Sequence, residues 1–189
     1  GLDVSLIGGA PGASQIVGVV NDRLVFVGSA GTQARVIATD GTAAGTSVLS
    51  STIAPSARGT MSGDLLYFPC NVLCVTDGTA AGTLRLKETP AGSPSGIGAF
   101  HLLNLNGALY FQSQRNANDT AVWKTNGTVA STMPAGTARI ASTDTMAIAG
   151  GRVLFAGFDD ENGTELWQAT SLAPAATNDA VTISAGSQI

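Results

Sequence analysis

The chain has 189 residues, a net charge of −4, only 12% charged residues and a mean hydropathy of +0.25. Its nine lysines and arginines are scattered from Arg23 to Arg152, which excludes the basic stripe that a nucleic-acid-binding surface needs. No run of 18 apolar residues occurs, so the sequence predicts no membrane-spanning helix.

Four phenylalanines, each at the end of a short apolar run, are spaced at nearly equal intervals of 42, 43 and 44 residues. They are Phe26, Phe68, Phe111 and Phe155. Five residues before each of them begins a pair of turn-forming residues: Asn21-Asp22, Gly63-Asp64, Asn106-Gly107 and Gly150-Gly151. Two-residue hairpins need positive φ at their central positions, which Gly, Asn and Asp adopt most easily. The pattern predicts four hairpins in register.

Further strands flank these hairpins. The strands before the turns are predicted at Ile16–Val20, Thr60–Ser62, Phe100–Leu105 and Thr145–Ala149. The strands after the turns end at the four phenylalanines. Third strands are predicted at residues 34–39, 71–76, 120–125 and 164–169, and fourth strands at Ser47–Ser50, Leu84–Glu88 and Ala138–Ser142. Apolar and small polar residues alternate, and no stretch has a helical period, so we expect almost no helix.

Four strands repeated four times at this length are typical of propeller blades. The sequence therefore predicts an all-β fold, a four-bladed β-propeller-like array of four-stranded antiparallel units within one domain. The predicted units are residues 15–56, 57–95, 96–143 and 144–184. A β-sandwich and an open stack of sheets are the alternatives.

Both ends of the chain resemble the missing fourth strand of the last unit. The N-terminal candidate begins at Asp3 and the C-terminal candidate at Ala180. One of them completes the last unit, and the other is free to pair with a neighbouring molecule, because an unpaired strand edge is a template for strand addition. The residues predicted to take part in strand donation are Asp3, Val4, Ser5, Leu6, Ile7, Ala180, Val181, Thr182 and Ile183.

A turn motif follows the third strand of each unit. TDGTAAGT occurs at 39–46 and again at 76–83, a variant TNGTVAST occurs at 125–132, and a degenerate copy follows Trp167. Together with Glu165-Leu166-Trp167, these strings resemble the bacterial ELWxxDGT repeat, which continues as xAGT. The resemblance covers nearly the whole chain through the repeat, and it implies a propeller-like fold in a secreted or surface-attached bacterial protein. It implies no catalytic residue.

Cys70 and Cys74 are the two cysteines of the chain, in the sequence FPCNVLC. They lie on either side of a very short connection between the second and third strands of the second unit, where facing positions bring Cβ atoms close together. The sequence predicts a disulfide, which would suit an oxidising compartment. The alternative is a pair of small buried thiols.

Few residues suggest chemistry. His101 is the only histidine, it lies in an alternating strand, and no G-x-S-x-G motif accompanies it. The acidic segment 159–165 contains several carboxylates but lacks the spacing of a calcium-binding loop, and turn formation explains it. We therefore predict neither a catalytic residue nor a metal or other cofactor.

The repeated turns and the tryptophans are the candidate ligand sites. Asp40, Asp77 and Asn126 occupy equivalent turn positions, and Trp123 and Trp167 share one strand position, as repeated sites in a carbohydrate-binding propeller do. Side-chain capping of the turns and packing between sheets are the competing interpretations.

The sequence thus predicts a non-catalytic, secreted structural protein, extracellular or at the cell surface, that forms homo-oligomers or polymers by strand donation. A chain that opens at Gly1 is expected to be a processed form or a fragment. The alternative function is a lectin-like module that binds surface glycans.

Overall fold

A computed structural model describes residues 12–30, 33–87, 98–116, 119–141, 146–170 and 183–185. Throughout these ranges the regular structure is β-strand, every strand pair is antiparallel, and no helix is present, so none could cross a membrane. The all-β class predicted from the alternating pattern is confirmed. The strands form four separate sheets that follow one another along the chain.

The first two sheets each contain four strands in chain order. The first sheet consists of β1 (Gly12–Val20), β2 (Arg23–Ala30), β3 (Gln33–Thr39) and β4 (Ser47–Ser50). The second consists of β5 (Thr60–Ser62), β6 (Leu65–Cys70), β7 (Val72–Thr76) and β8 (Leu84–Lys87).

The third sheet has the same simple order, whereas the fourth is formed by five strands. The third consists of β9 (Phe100–Leu105), β10 (Ala108–Asn116), β11 (Asp119–Thr125) and β12 (Met133–Pro134). The fourth consists of β13 (Arg139–Ile140), β14 (Met146–Ala149), β15 (Arg152–Asp159), β16 (Gly163–Thr170) and β17 (Ile183–Ala185).

The four predicted hairpins are present. They join β1 to β2, β5 to β6, β9 to β10 and β14 to β15. Seven of the eight turn residues have positive φ, and Asp64 is the exception. Asn21 and Asp22, at φ of 49° and 57°, adopt the left-handed region that short polar side chains tolerate better than branched ones. The turn residues therefore fix the register of the flanking strands.

One predicted strand belongs to a different sheet. The pattern of residues 138–142 predicts a strand that closes the third unit, but Arg139 and Ile140 pair with Phe158 and Gly157 in the fourth sheet. The third sheet is closed instead by Met133–Pro134, beside Trp123 and Lys124. β13 and β14 both pair with β15, so two short strands together form the first edge of the fourth sheet. The predicted boundary at residue 143 is therefore too late.

Successive side chains of a strand point to opposite faces of its sheet, and apolar residues occupy both faces. Successive sheets therefore pack face to face. Phe68 and Cys74 join Val25 and Val36 in a buried cluster between the first and second sheets. A second cluster lies between the second and third sheets, and a third lies between the third and fourth sheets. None of the three clusters formed by the described residues combines the first sheet with the fourth. The ring of blades therefore remains a prediction, while the four sheets and their order are established.

Only part of the terminal segments is described. Ile183 lies in β17, which pairs with β16 of the same chain through Ala169, Gln168 and Trp167. The rest of the predicted donor residues lie outside the described ranges: Asp3, Val4, Ser5, Leu6, Ile7, Ala180, Val181 and Thr182.

Cys70 and Cys74 are joined by a disulfide, with the sulfurs 2.01 Å apart and the Cα atoms 5.8 Å apart. Asn71 alone connects the two strands, at φ 75°. Cys74 lies opposite Phe68 and Cys70 opposite Val72, so the cysteines are diagonal neighbours on one face and not directly facing residues. Both cysteines are buried in the cluster between the first two sheets.

The disulfide encloses only a short loop, so its stabilisation should be modest. The chain-entropy relation for a loop of this length gives about 2 kcal/mol. Reduction of the wild-type protein should therefore lower the free energy of unfolding in urea by about that amount. The Cys70→Ala/Cys74→Ala variant serves as the control, because a reductant should not change its stability. Equal responses of the two proteins would show that the linkage does not contribute.

Candidate functional site

The repeated Thr-Asp-Gly-Thr turn is a closed network of short hydrogen bonds. In the first copy, the amide and the hydroxyl of Thr42 both donate to Asp40 Oδ1, at 2.9 and 2.8 Å. The amide of Gly45 donates to Thr42 Oγ1 at 2.9 Å, and Thr46 Oγ1 donates to the Thr42 carbonyl at 2.6 Å. The second copy repeats all four bonds within 0.1 Å, with Asp77, Thr79, Gly82 and Thr83.

The glycine near the end of the motif is required by the aspartate at its start. A Cβ atom on Gly45 would lie 2.0 Å from Asp40 Oδ1, and one on Gly82 would lie 2.1 Å from Asp77 Oδ1. Both distances are far below van der Waals contact, so the carboxylate occupies the space that a side chain would need. The aspartate and the glycine of each copy are therefore coupled.

In the third copy, different residues occupy these two positions of the turn. Ser131 stands in the glycine position, and Asn126 stands in the aspartate position. The Ser131 hydroxyl accepts the Thr128 amide at 3.3 Å and the Asn126 amide at 3.2 Å. The serine oxygen thus replaces the carboxylate oxygen as the acceptor inside the turn.

Asp40, Asp77 and Asn126 therefore act within their own turns. The backbone and side-chain hydrogen bonds from Thr42 lower the pKa of Asp40 below its ordinary value. This geometry supports the capping interpretation of the three residues, since the carboxylate oxygens or their replacement satisfy local donors.

The turns of the second and third sheets also contact the hairpin of the preceding sheet. The guanidinium of Arg23, just after the first hairpin turn, donates to the Gly78 carbonyl in the second sheet's turn and, at 2.9 Å, to the Gly45 carbonyl in its own sheet. Asn21 Nδ2 donates to the Asp77 carbonyl at 2.9 Å. The same approach recurs one sheet later, where a Cβ on Gly127 would lie 2.4 Å from Leu65 Cδ1.

The two tryptophans are packing residues in this structure. Trp123 lies near Phe111 with ring centroids 6.3 Å apart, and its Nε1 donates to the Ser113 carbonyl at 2.9 Å. Lys87 Nζ of the second sheet lies 4.3 Å from the Trp123 ring centroid, and burial lowers the pKa of this ammonium. Trp167 is buried against Gly157, where a Cβ would lie 2.3 Å from the indole Cδ1.

One open cleft of about 300 Å³ lies where the third and fourth sheets meet. It is lined by Asp119, Thr120, Arg139, Ile140, Ala141, Phe158 and Thr164. None of the predicted ligand residues lines it. The Asp119 carboxylate is paired with Arg115 at 3.0 Å, and Arg139 lies over the Phe158 ring at 6.0 Å.

The sequence pattern does not predict this cleft, because it places Arg139 in the third sheet, whereas Arg139 pairs with Phe158 of the fourth. The lining contains two threonines but no histidine, serine or cysteine, and its one carboxylate, that of Asp119, is paired with Arg115. Its lining can hold a small polar molecule but does not identify one.

His101 and the acidic segment make local contacts. His101 has φ of 50°, is exposed, and its Nδ1 lies 3.2 Å from Gln112 Oε1. In the acidic turn, the backbone and side chain of Asn162 donate to Asp159 and lower the pKa of that carboxyl. Among the residues whose positions are described, no three histidine, cysteine or carboxylate side chains come together as metal ligands.

No family model matches the chain, and no curated protein is significantly similar to it.

The coupling of aspartate and glycine in the turn can be tested by transplanting the third copy into the second. Gly82→Ser alone should lower the free energy of unfolding by about 1–3 kcal/mol, because the new side chain overlaps the Asp77 carboxylate. Asp77→Asn combined with Gly82→Ser should recover most of this loss, since it recreates the third turn. Urea unfolding of the four proteins in this double-mutant cycle measures the coupling. Additive losses would contradict it.

The hydrogen bonds of Asp40 predict a pH dependence. Because the folded pKa lies below the unfolded value of about 3.9, the ionised carboxylate stabilises the fold above that pH, and this contribution is lost as the pH falls through the folded pKa. Thr42→Val removes the hydroxyl donor and should raise the pKa of Asp40 in a ¹³C NMR titration. The carboxyl of Asp159, which belongs to another turn, is the internal control and should not shift.

Proposed function

We propose that this protein is a non-catalytic, secreted structural protein that assembles with copies of itself outside the cell by strand donation. The observation that carries the proposal is the pairing at the outer edge of the fourth sheet. Ile183–Ala185 of the same chain takes positions beside Trp167, Gln168 and Ala169. The N-terminal segment from Asp3 to Ile7, the other candidate for this edge, is thereby left without those positions in its own molecule.

The same edge supports donation in a second way. β16 runs from Gly163 to Thr170, but β17 pairs with only its last part. Within the described residues, no strand pairs with Gly163–Leu166 on this side. An edge strand can accept a strand from another chain, and in this proposal Gly163–Leu166 receives a neighbour's N-terminal segment.

The remaining observations agree with a structural role. The repeated turns use their carboxylates internally, and the one carboxylate that lines the cleft is paired with Arg115. Low charge suits a surface that packs against copies of itself, and a disulfide suits an oxidising compartment. The resemblance to ELWxxDGT repeats points to the same class of surface or secreted bacterial protein. The lectin-like alternative has less support, because both tryptophans take part in packing.

Strand donation predicts that assembly requires the N-terminal segment. The full chain should form species larger than a pair that grow with concentration, seen by light scattering after size exclusion and by negative-stain microscopy. A variant without residues 1–11 retains all of β1 and should not form them.

Two controls sharpen this experiment. Leu6→Pro keeps the length of the segment but removes a backbone donor and should weaken assembly, because proline cannot complete a strand ladder. A peptide of residues 1–11 in excess should cap the wild-type assembly. A full-length chain that never exceeds a pair at high concentration would reject the polymer.

A further inference from the structure

The third copy of the repeated turn contains a tripeptide that the first two copies lack. Asn126-Gly127-Thr128 matches the Asn-x-Thr sequence to which N-linked sugars are attached, whereas the first two copies have Asp40 and Asp77 in the asparagine position. A carboxylate has no nitrogen to which a sugar can be joined. The asparagine of the third copy therefore makes this turn a candidate modification site.

The turn holds this tripeptide at the surface in one defined conformation. Asn126 and Thr128 are exposed, and the next side chain, that of Val129, is 63% exposed. The Ser131 hydroxyl accepts the backbone amides of Asn126 and Thr128 at 3.2 and 3.3 Å. Thr128 Oγ1 lies 3.3 Å from Asn126 Oδ1. The two side chains that define the acceptor sequence therefore lie together and face solvent.

The side-chain nitrogen of Asn126 is the open end of this group. Its Oδ1 accepts the Thr128 hydroxyl, whereas no residue in the described part of the chain accepts a hydrogen bond from its Nδ2. A sugar on Nδ2 replaces one of two amide protons, so it breaks none of the hydrogen bonds that hold this turn. The surrounding exposure leaves room for a bulky, hydrated group.

Two further Asn-x-Thr tripeptides begin at Asn118 and Asn162. Asn118 lies outside the described ranges. Asn162 is exposed, but its Nδ2 donates to both carboxylate oxygens of Asp159, at 3.1 and 3.0 Å. A sugar on that nitrogen would remove a proton that serves the carboxylate. Of the two described tripeptides, the one in the repeated turn therefore accepts a sugar at the lower structural cost.

We propose that Asn126 is a glycosylation site, at which the C1 carbon of a sugar is joined to Nδ2. The donor is a sugar activated as a diphosphate ester, and a transferase of the producing cell catalyses the step. The C1–O bond of the donor breaks, and the diphosphate leaves with the electron pair. The C1–N bond forms, and one Nδ2 proton passes to a base of the transferase, so no oxidant or reductant is needed.

This inference goes beyond the proposed function, because it concerns the covalent modification of a turn and not assembly. Trypsin separates the three tripeptides, since it cuts after Arg115, Lys124, Arg139 and Arg152. Asn118, Asn126 and Asn162 then lie in peptides 116–124, 125–139 and 153–189. In protein purified from the cells that naturally produce it, mass spectrometry should find at least one hexose or N-acetylhexosamine on peptide 125–139, and fragment spectra should place it on Asn126.

Variants produced in the same cells test the assignment. Asn126→Gln and Thr128→Val should abolish the modification, whereas Thr128→Ser should retain it, because serine also completes the acceptor sequence. Asp40→Asn places the same tripeptide in the exposed first turn and should add a sugar to peptide 36–58. The substituted side chains are exposed, so the variants are expected to fold, which circular dichroism checks.

An unmodified peptide 125–139 in the natural protein overturns the inference. A sugar that remains on this peptide in Asn126→Gln also overturns it, because the sugar is then attached to another side chain. Failure of Asp40→Asn to gain a sugar would contradict the role given to the turn in presenting the acceptor. Assembly does not enter this test: a modified protein that stays monomeric rejects strand donation and supports the site, and an unmodified polymer does the reverse.

Discussion

Burial of the apolar faces between successive sheets is the constraint on which the structure depends. A single antiparallel sheet with apolar residues on both sides cannot be stable in water, and this chain makes four of them. It succeeds because the phenylalanine position faces the preceding sheet and the residue before it faces the following one. Phe68 and Tyr67 show this division, since they belong to the clusters on opposite sides of the second sheet.

Much of the local structure could be read from the sequence because it depends on local chemistry. The turn pairs require positive φ, and their fixed distance from the phenylalanines sets strand register. The prediction that residues 138–142 close the third sheet is wrong for the opposite reason. Their alternating pattern predicts a strand, but the choice between two adjacent sheet edges depends on packing that a pattern does not encode. The diagonal placement of Cys70 and Cys74 likewise depends on the one-residue connection at Asn71.

The roles of the candidate site residues follow less directly from the sequence than the fold does. A repeated aspartate suggests a repeated ligand, yet Asp40 and Asp77 bind the threonines of their own turns. The third copy carries a signal for this structural role, because its serine stands in the glycine position together with Asn126 and its hydroxyl accepts the Thr128 amide, as the aspartates accept the equivalent amides. The cleft beside Arg139 could not be predicted, since it exists only once that residue joins the fourth sheet.

The coupling of aspartate and glycine in each turn constrains how such repeats diverge after duplication. Starting from an Asp–Gly pair, a change of glycine to serine alone would place two groups in one space. A change of aspartate to asparagine before the change at glycine avoids this overlap. The order of events is therefore biased, and intermediates with asparagine and glycine should outnumber those with aspartate and serine among diverging copies.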